Sequence, residues 1–117
     1  MQNEERERRE ATFAGAKAAI LACRPQLAKG VKVVRIDGDE QVLRYSTATP
    51  DAPLGFYEAQ FFRLIDGRRT VGEIIEAIAD DLDIPRAMEA GKASMAALHV
   101  YYVNGAIEEL RGLSERR

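Results

Sequence analysis

The sequence predicts an α+β fold of the winged-helix kind, and three observations carry that expectation. Apolar residues alternate with polar ones from Val31 to Tyr45 about a glycine turn. Helical periodicity takes over at Phe56, and a tight joint, Asp66-Gly67-Arg68-Arg69-Thr70, separates two of the later helices. Strand pairing first and three helices afterwards describe an N-terminal antiparallel hairpin or three-stranded sheet followed by a helical unit. An extra helix precedes the sheet.

Residues Gln2 to Glu10 are charged with mixed signs and run into the Ala-rich stretch Ala11 to Cys23. Alanine is the best helix former, and Glu4–Arg8 and Glu5–Arg9 are favourable i, i+4 pairs, so residues 1–23 read as a helix. Phe13, Ala16, Ile20 and Cys23 give it a narrow apolar stripe. Pro25 and Gly30 punctuate a connector from Arg24 to Gly30. Val31, Val33, Val34 and Ile36, then Val42-Leu43-Arg44-Tyr45, form the two arms of a hairpin around Asp37-Gly38-Asp39-Glu40. Pro50 and Pro53 make Ser46 to Pro53 a loop, with at most a short edge strand from Asp51 to Leu54.

The first helix of the C-terminal half runs from Phe56 to Ile65 and ends at Asp66-Gly67, where glycine tolerates the left-handed conformation. Thr70-Val71-Gly72-Glu73 has the form of a capping box, so the next helix starts there, with Val71, Ile74, Ile75, Ile78 and Leu82 as its buried stripe. Leu82-Asp83-Ile84-Pro85 breaks it. A third helix follows from about Arg86 to Tyr102, with Met88, Met95, Leu98, Tyr101 and Tyr102 at its apolar positions. Asn104-Gly105 is a turn, and Ala106 to Leu110 is a short strand or a helical end. The expected organisation is a helix over 1–23, one principal domain over 24–111 and a polar tail over 112–117, in keeping with 117 residues and a hydrophobic content of 46%.

Composition narrows the function classes. Lys and Arg total 17 against 19 Asp and Glu, so no global field attracts a polyanion. The single cysteine forms no internal disulfide, and one histidine supplies no structural zinc set. With no apolar signal core and no apolar run near the ~20 residues of a membrane span, the expected location is cytoplasmic, without membrane contact.

Catalytic candidates are few, so the expectation is no enzyme, no cofactor and no metal. His99, between Leu98 and Val100, reads as a partly buried or groove-lining side chain. Cys23 reads as a small apolar packing residue. Asp80-Asp81-Leu82-Asp83 lacks the glycine and terminal glutamate of a calcium loop, and Gly67, Gly72 and Gly91 are too far apart for a phosphate loop. Arg68-Arg69 could touch DNA phosphates, but Glu73, Glu76, Asp80 and Asp81 on the following helix would repel them.

The run Leu64-Ile65-Asp66-Gly67-Arg68-Arg69-Thr70-Val71-Gly72-Glu73-Ile74-Ile75 resembles the PqqD-like family, small chaperone-type proteins and fused domains known as RiPP precursor peptide recognition elements. Arg24 to Val31 is similar to the family's entry into its first strand, Gln41-Val42-Leu43 to its second, and Leu54 to the apolar residue before its first helix, so about 24–110 is covered. The resemblance implies a winged-helix-like module that binds the leader of a ribosomally synthesised precursor peptide and presents it to a modifying enzyme, frequently a radical-SAM protein. It further implies that the leader adds as a strand at the third strand and rests against the third helix. Carried onto this chain, the peptide-binding residues are Asp51, Ala52 and Leu54 on the edge, with Met95, Leu98, His99 and Tyr102 as the groove wall. Pro50 and Pro53 depart from that pattern by removing backbone donors, and so does the charged N-terminal helix. The rival readings are a winged-helix DNA-binding or transcription-associated protein and a structural module that forms a homodimer through the N-terminal helix.

Overall fold

A computed structural model describes residues 2–113. The fold is α+β: an N-terminal helix, a three-stranded antiparallel sheet, a two-stranded sheet and three further helices. No helix among the described residues is long and apolar enough to cross a membrane. The expected polar tail over 112–117 begins too early, because Leu113 is buried in the core; residues 114–117 lie outside the described residues.

Helix α1 spans Asn3–Ala16, with Glu4 and Glu5 in its first turn, where carboxylates favour the helix dipole. It buries no residue completely, and it gives way to a 3₁₀ segment over Lys17–Ala22 instead of continuing to Cys23 as one helix. Strand β1, Arg24–Leu27, corrects the expected connector. It pairs antiparallel with β5, Ile107–Arg111, in the register Arg24↔Arg111 and Pro25↔Leu110. Ala106 to Leu110 therefore resolves to a strand rather than a helical end.

The hairpin is as expected: β2, Lys32–Asp37, pairs with β3, Glu40–Arg44, which pairs in turn with the short edge strand β4, Ala52–Leu54. The alternation of a strand divides its side chains between two faces. Val33, Leu43, Ala52 and Leu54 face the core, whereas Val34, Val42 and Pro53 share the opposite face.

Helix α2 spans Phe56–Arg63 and α3 spans Val71–Ala79. Between them Gly67 adopts φ +79°, a left-handed backbone that favours glycine. Asp66 Oδ1 accepts the amides of Arg68 and Arg69, each at 2.9 Å. The capping box forms as expected: Thr70 Oγ1 accepts the Glu73 amide at 3.1 Å, and Glu73 Oε1 accepts the Thr70 amide at 2.8 Å. These amides hold the Asp66 and Glu73 carboxyls below their ordinary values. A depressed folded value means the stabilisation is complete above about pH 4.5 and fades as pH falls through the carboxylate range. Thr70→Ala is expected to cost about 0.5–2 kcal/mol in chemical denaturation at neutral pH. A midpoint equal to that of the parent would show that the cap contributes nothing.

Helix α4, Ile84–Val103, begins two residues earlier than expected. Asp83 caps it by accepting the Arg86 amide at 2.9 Å, and Pro85 lies in the first turn, where a missing N–H costs nothing. The core gathers Leu43, Phe61, Phe62, Val71, Ile74, Leu98 and Ile107 between the sheets and the helices. Phe62 meets Phe61 and Tyr101 edge to face, with centroids 6.0 and 5.0 Å apart.

Candidate functional site

Two neighbourhoods hold the residues expected to bind a peptide: the margin of the three-stranded sheet and the C-terminal half of α4. At the margin, the backbone geometry follows from one residue. A hydrogen-bonded antiparallel pair exchanges two N–H···O bonds, and proline has no N–H to give. The partnership of Pro53 with Val42 is therefore of the non-hydrogen-bonded kind, and Ala52 and Leu54 turn their amides toward β3. Alternation aims the Pro53 carbonyl outward, and carried one residue past the start of the strand it aims both backbone groups of Asp51 the same way. The next outward amide, that of Gly55, is engaged by Glu58 Oε1 at 2.6 Å. The open edge of β4 thus offers carbonyls and a donor at Asp51, with a gap at Pro53.

The same alternation describes the opposite margin. Val42 turns its backbone groups to β2 and bonds with Val34, so Val33 and Arg35 direct an N–H and a C=O each away from the sheet. No proline interrupts this edge.

Side chains at the β4 margin divide as the register requires. Asp51 is exposed and pairs with Arg44, with Oδ2 2.7 Å from Nη2, and that contact holds its carboxyl below its ordinary value. Ala52 and Leu54 are half-buried against the core.

On α4 the four expected groove residues part company. Met95, Leu98, His99 and Tyr102 share a helix face by their spacing, yet Leu98 is fully buried and Met95 packs partly against the core. Neither forms an open wall with the others. His99 and Tyr102 both lie against α1: Tyr102 is buried there, whereas His99 stays partly exposed and lines a shallow hollow with Arg6 and Glu10. Phe13 stacks on the His99 ring at 4.5 Å with an 11° interplanar angle, and Glu10 bonds His99 Nε2. The Arg9 guanidinium sits 4.7 Å above the Tyr102 ring. The same group donates from Nη1 to the Tyr102 carbonyl at 2.9 Å and the Ile107 carbonyl at 3.2 Å, and from Nη2 to the Glu108 carbonyl at 3.0 Å.

No protein-family model, curated protein or solved structure matches this chain.

Sequence reasoning took Arg9 only as the partner of Glu5, a pair that does form at 2.9 Å. Arg9 stands four residues before Phe13, so the stripe Phe13, Ala16, Ile20 could have been extended back to it. Tyr101, not Tyr102, is the α4 aromatic turned toward α2 and the sheet. It packs on Phe62, and burial raises its hydroxyl above the ordinary tyrosine value, with the Glu58 and Tyr45 charges adding to the shift.

The remaining candidates keep structural roles. Cys23 is buried, its Sγ lies 3.0 Å from the Ile20 carbonyl, and burial pushes its thiol up to about 11, far from a reactive thiolate at neutral pH. Glu73, Glu76 and Asp80 line one exposed acidic side of α3. Arg69 is drawn back to Asp66 and the Leu64 carbonyl. Among the described residues no three His, Cys, Asp or Glu side chains are grouped to hold a metal.

Proposed function

We propose that this chain is a non-catalytic peptide-binding adaptor of the PqqD-like kind, acting in the cytoplasm. It receives the leader of a ribosomally synthesised precursor peptide as an added strand and presents it to a modifying enzyme such as a radical-SAM protein. The observation that carries the reading is a three-stranded antiparallel sheet whose edge strand β4 leads through α2 into the capped helical joint of Asp66 to Thr70. Open sheet edges take extended peptides because the ladder supplies affinity without regard to sequence, while alternate side chains supply choice.

On β4 the peptide finds its acceptors at Asp51 and Pro53 and one donor at Asp51. A second placement, on β2, is favoured by the intact donors and acceptors of Val33 and Arg35. Calorimetric titration with the leader peptides encoded near the gene tests the reading, and two variants separate the placements. Pro53→Ala restores a donor to the β4 edge, and one added hydrogen bond of about 0.5–1.5 kcal/mol predicts roughly twofold to tenfold tighter binding there. Arg35→Pro removes an outward donor from β2 at an exposed side chain and, in a variant whose circular dichroism matches the parent, weakens binding only if the strand adds on that side. Absence of binding by any of these peptides at millimolar concentration would sink the adaptor reading.

A further inference from the structure

Three segments distant in sequence, the turn after β1, the loop after β3 and the C-terminal turn of α4, converge with α1 around a cavity of about 400 Å³. Its polar walls include Arg6, Lys29, Ser46, Thr47, Thr49 and Asn104, and no carboxylate lines it. Among the described residues neither Arg6 nor Lys29 takes part in an ion pair. Arg6 also borders a neighbouring hollow with Glu10, but Glu10 is engaged by His99. In a chain of net charge -2, two unpaired cations on one concave, carboxylate-free surface create a local positive field.

The fold holds that arrangement in place. Gly30 has φ +83°, and a Cβ there would stand 2.4 Å from Ser46 Cβ, so glycine lets the turn bearing Lys29 close on the loop. Ser46 Oγ then donates to the Lys29 carbonyl at 3.2 Å. Thr47 Oγ1 and Thr49 Oγ1 are 2.9 Å apart, and the Thr49 amide also donates to Thr47 Oγ1. With the Thr47 proton given to Thr49, the Thr49 hydroxyl keeps a proton free for a ligand. The C-terminus of α4 carries negative partial charge, which opposes an anion. That charge is offset here, because the Asn104 and Gly105 amides and Arg9 all donate to the last-turn carbonyls of Val100 and Tyr102.

We infer that this cavity binds a small oxyanion, a phosphate or carboxylate group, clasped between the Arg6 guanidinium and the Lys29 ammonium with a threonine hydroxyl as third donor. The inference does not rest on the peptide-binding reading, since it concerns different residues and a different ligand chemistry.

Calorimetric titration of the full chain with inorganic phosphate and with acetate, at low and matched ionic strength, tests it. Saturable binding of at least one anion is expected, and the tighter of the two names the source of the oxyanion. Arg6→Ala and Lys29→Ala should each weaken binding about tenfold, since charge-assisted bonds are the strong ones. Thr49→Val should weaken it less, and Lys32→Ala, an exposed cation outside the cavity, should change it less than about twofold. Circular dichroism of each variant separates lost binding from lost folding. Lack of saturable heat from either anion overturns the inference, as does an equal loss with Lys32→Ala, which would mark diffuse surface charge.

Discussion

Leu98→Ala is expected to remove about 2–5 kcal/mol of stability, the range for a buried leucine whose surroundings relax only in part. Leu98 is fully buried within the cluster that holds Phe62, Ile74 and Ile107, so the cavity left behind has rigid walls. Against a total of about 5–15 kcal/mol for an ordinary domain, such a loss lowers the melting midpoint by on the order of 10 °C. A midpoint within a degree of the parent would place the side chain outside the core. The consequence for function is direct. A polar substitution at Leu98 is expected to unfold the protein, so a loss of binding in such a variant would say nothing about a groove. Met95, only partly buried, is the position on that face where binding and folding can be separated.

The second large effect is expected at Arg9. Its guanidinium ties α1 to three carbonyls at the end of α4 and along β5, and its side chain retains only 15% exposure. Arg9→Ala removes hydrogen bonds of the charge-assisted class, each worth about 1.5–3 kcal/mol where well formed. Helix α1 buries no residue completely and has little other hold, apart from Phe13 on His99 and Glu10 on the same ring. Hydrogen exchange across Asn3–Ala16 should therefore quicken in Arg9→Ala, with Tyr102 becoming accessible. Arg9→Lys should not restore the parent behaviour, because one ammonium cannot present the planar fork that spans three acceptors. Unchanged exchange in α1 would show that the stacked Phe13–His99 pair holds the helix alone. Release of α1 also bears on the proposed homodimer through this helix. In the folded chain the side of α1 that bears Arg9 and Phe13 packs on α4 and β5, so a second copy would meet its other, exposed side.

Much of the fold was legible because its signals are local. The Thr70 to Glu73 capping box, the left-handed Gly67 and the hairpin turn of Asp37 to Glu40 each depend on residues within four positions of one another. Local hydrogen bonding decides them before any tertiary contact forms. The start of α4 was misplaced by two residues because Pro85 reads as a breaker, whereas in a first turn it lacks only a donor that has no partner there anyway.

Strand β1 was not legible for the opposite reason. Arg24-Pro25-Gln26-Leu27 has too few apolar residues and a proline, and it becomes a strand because β5, more than eighty residues later, supplies its partner. Edge polarity belongs to the same class. That Pro53 lacks a donor is plain from its identity, but whether the gap faces β3 or open solvent depends on its register with Val42.

The candidate site divides along that line. The sequence by itself determined the hairpin and the helices that follow it, the capped joint, the spacing of Met95, Leu98, His99 and Tyr102 on one helix face, and the absence of a donor at Pro53. Only the tertiary structure decided that Leu98 enters the core, that α1 packs against His99 and Tyr102, and that Arg6 and Lys29 line one cavity. Periodicity specifies which residues share a face, whereas what covers that face is set by long-range packing, and no window of sequence contains both partners.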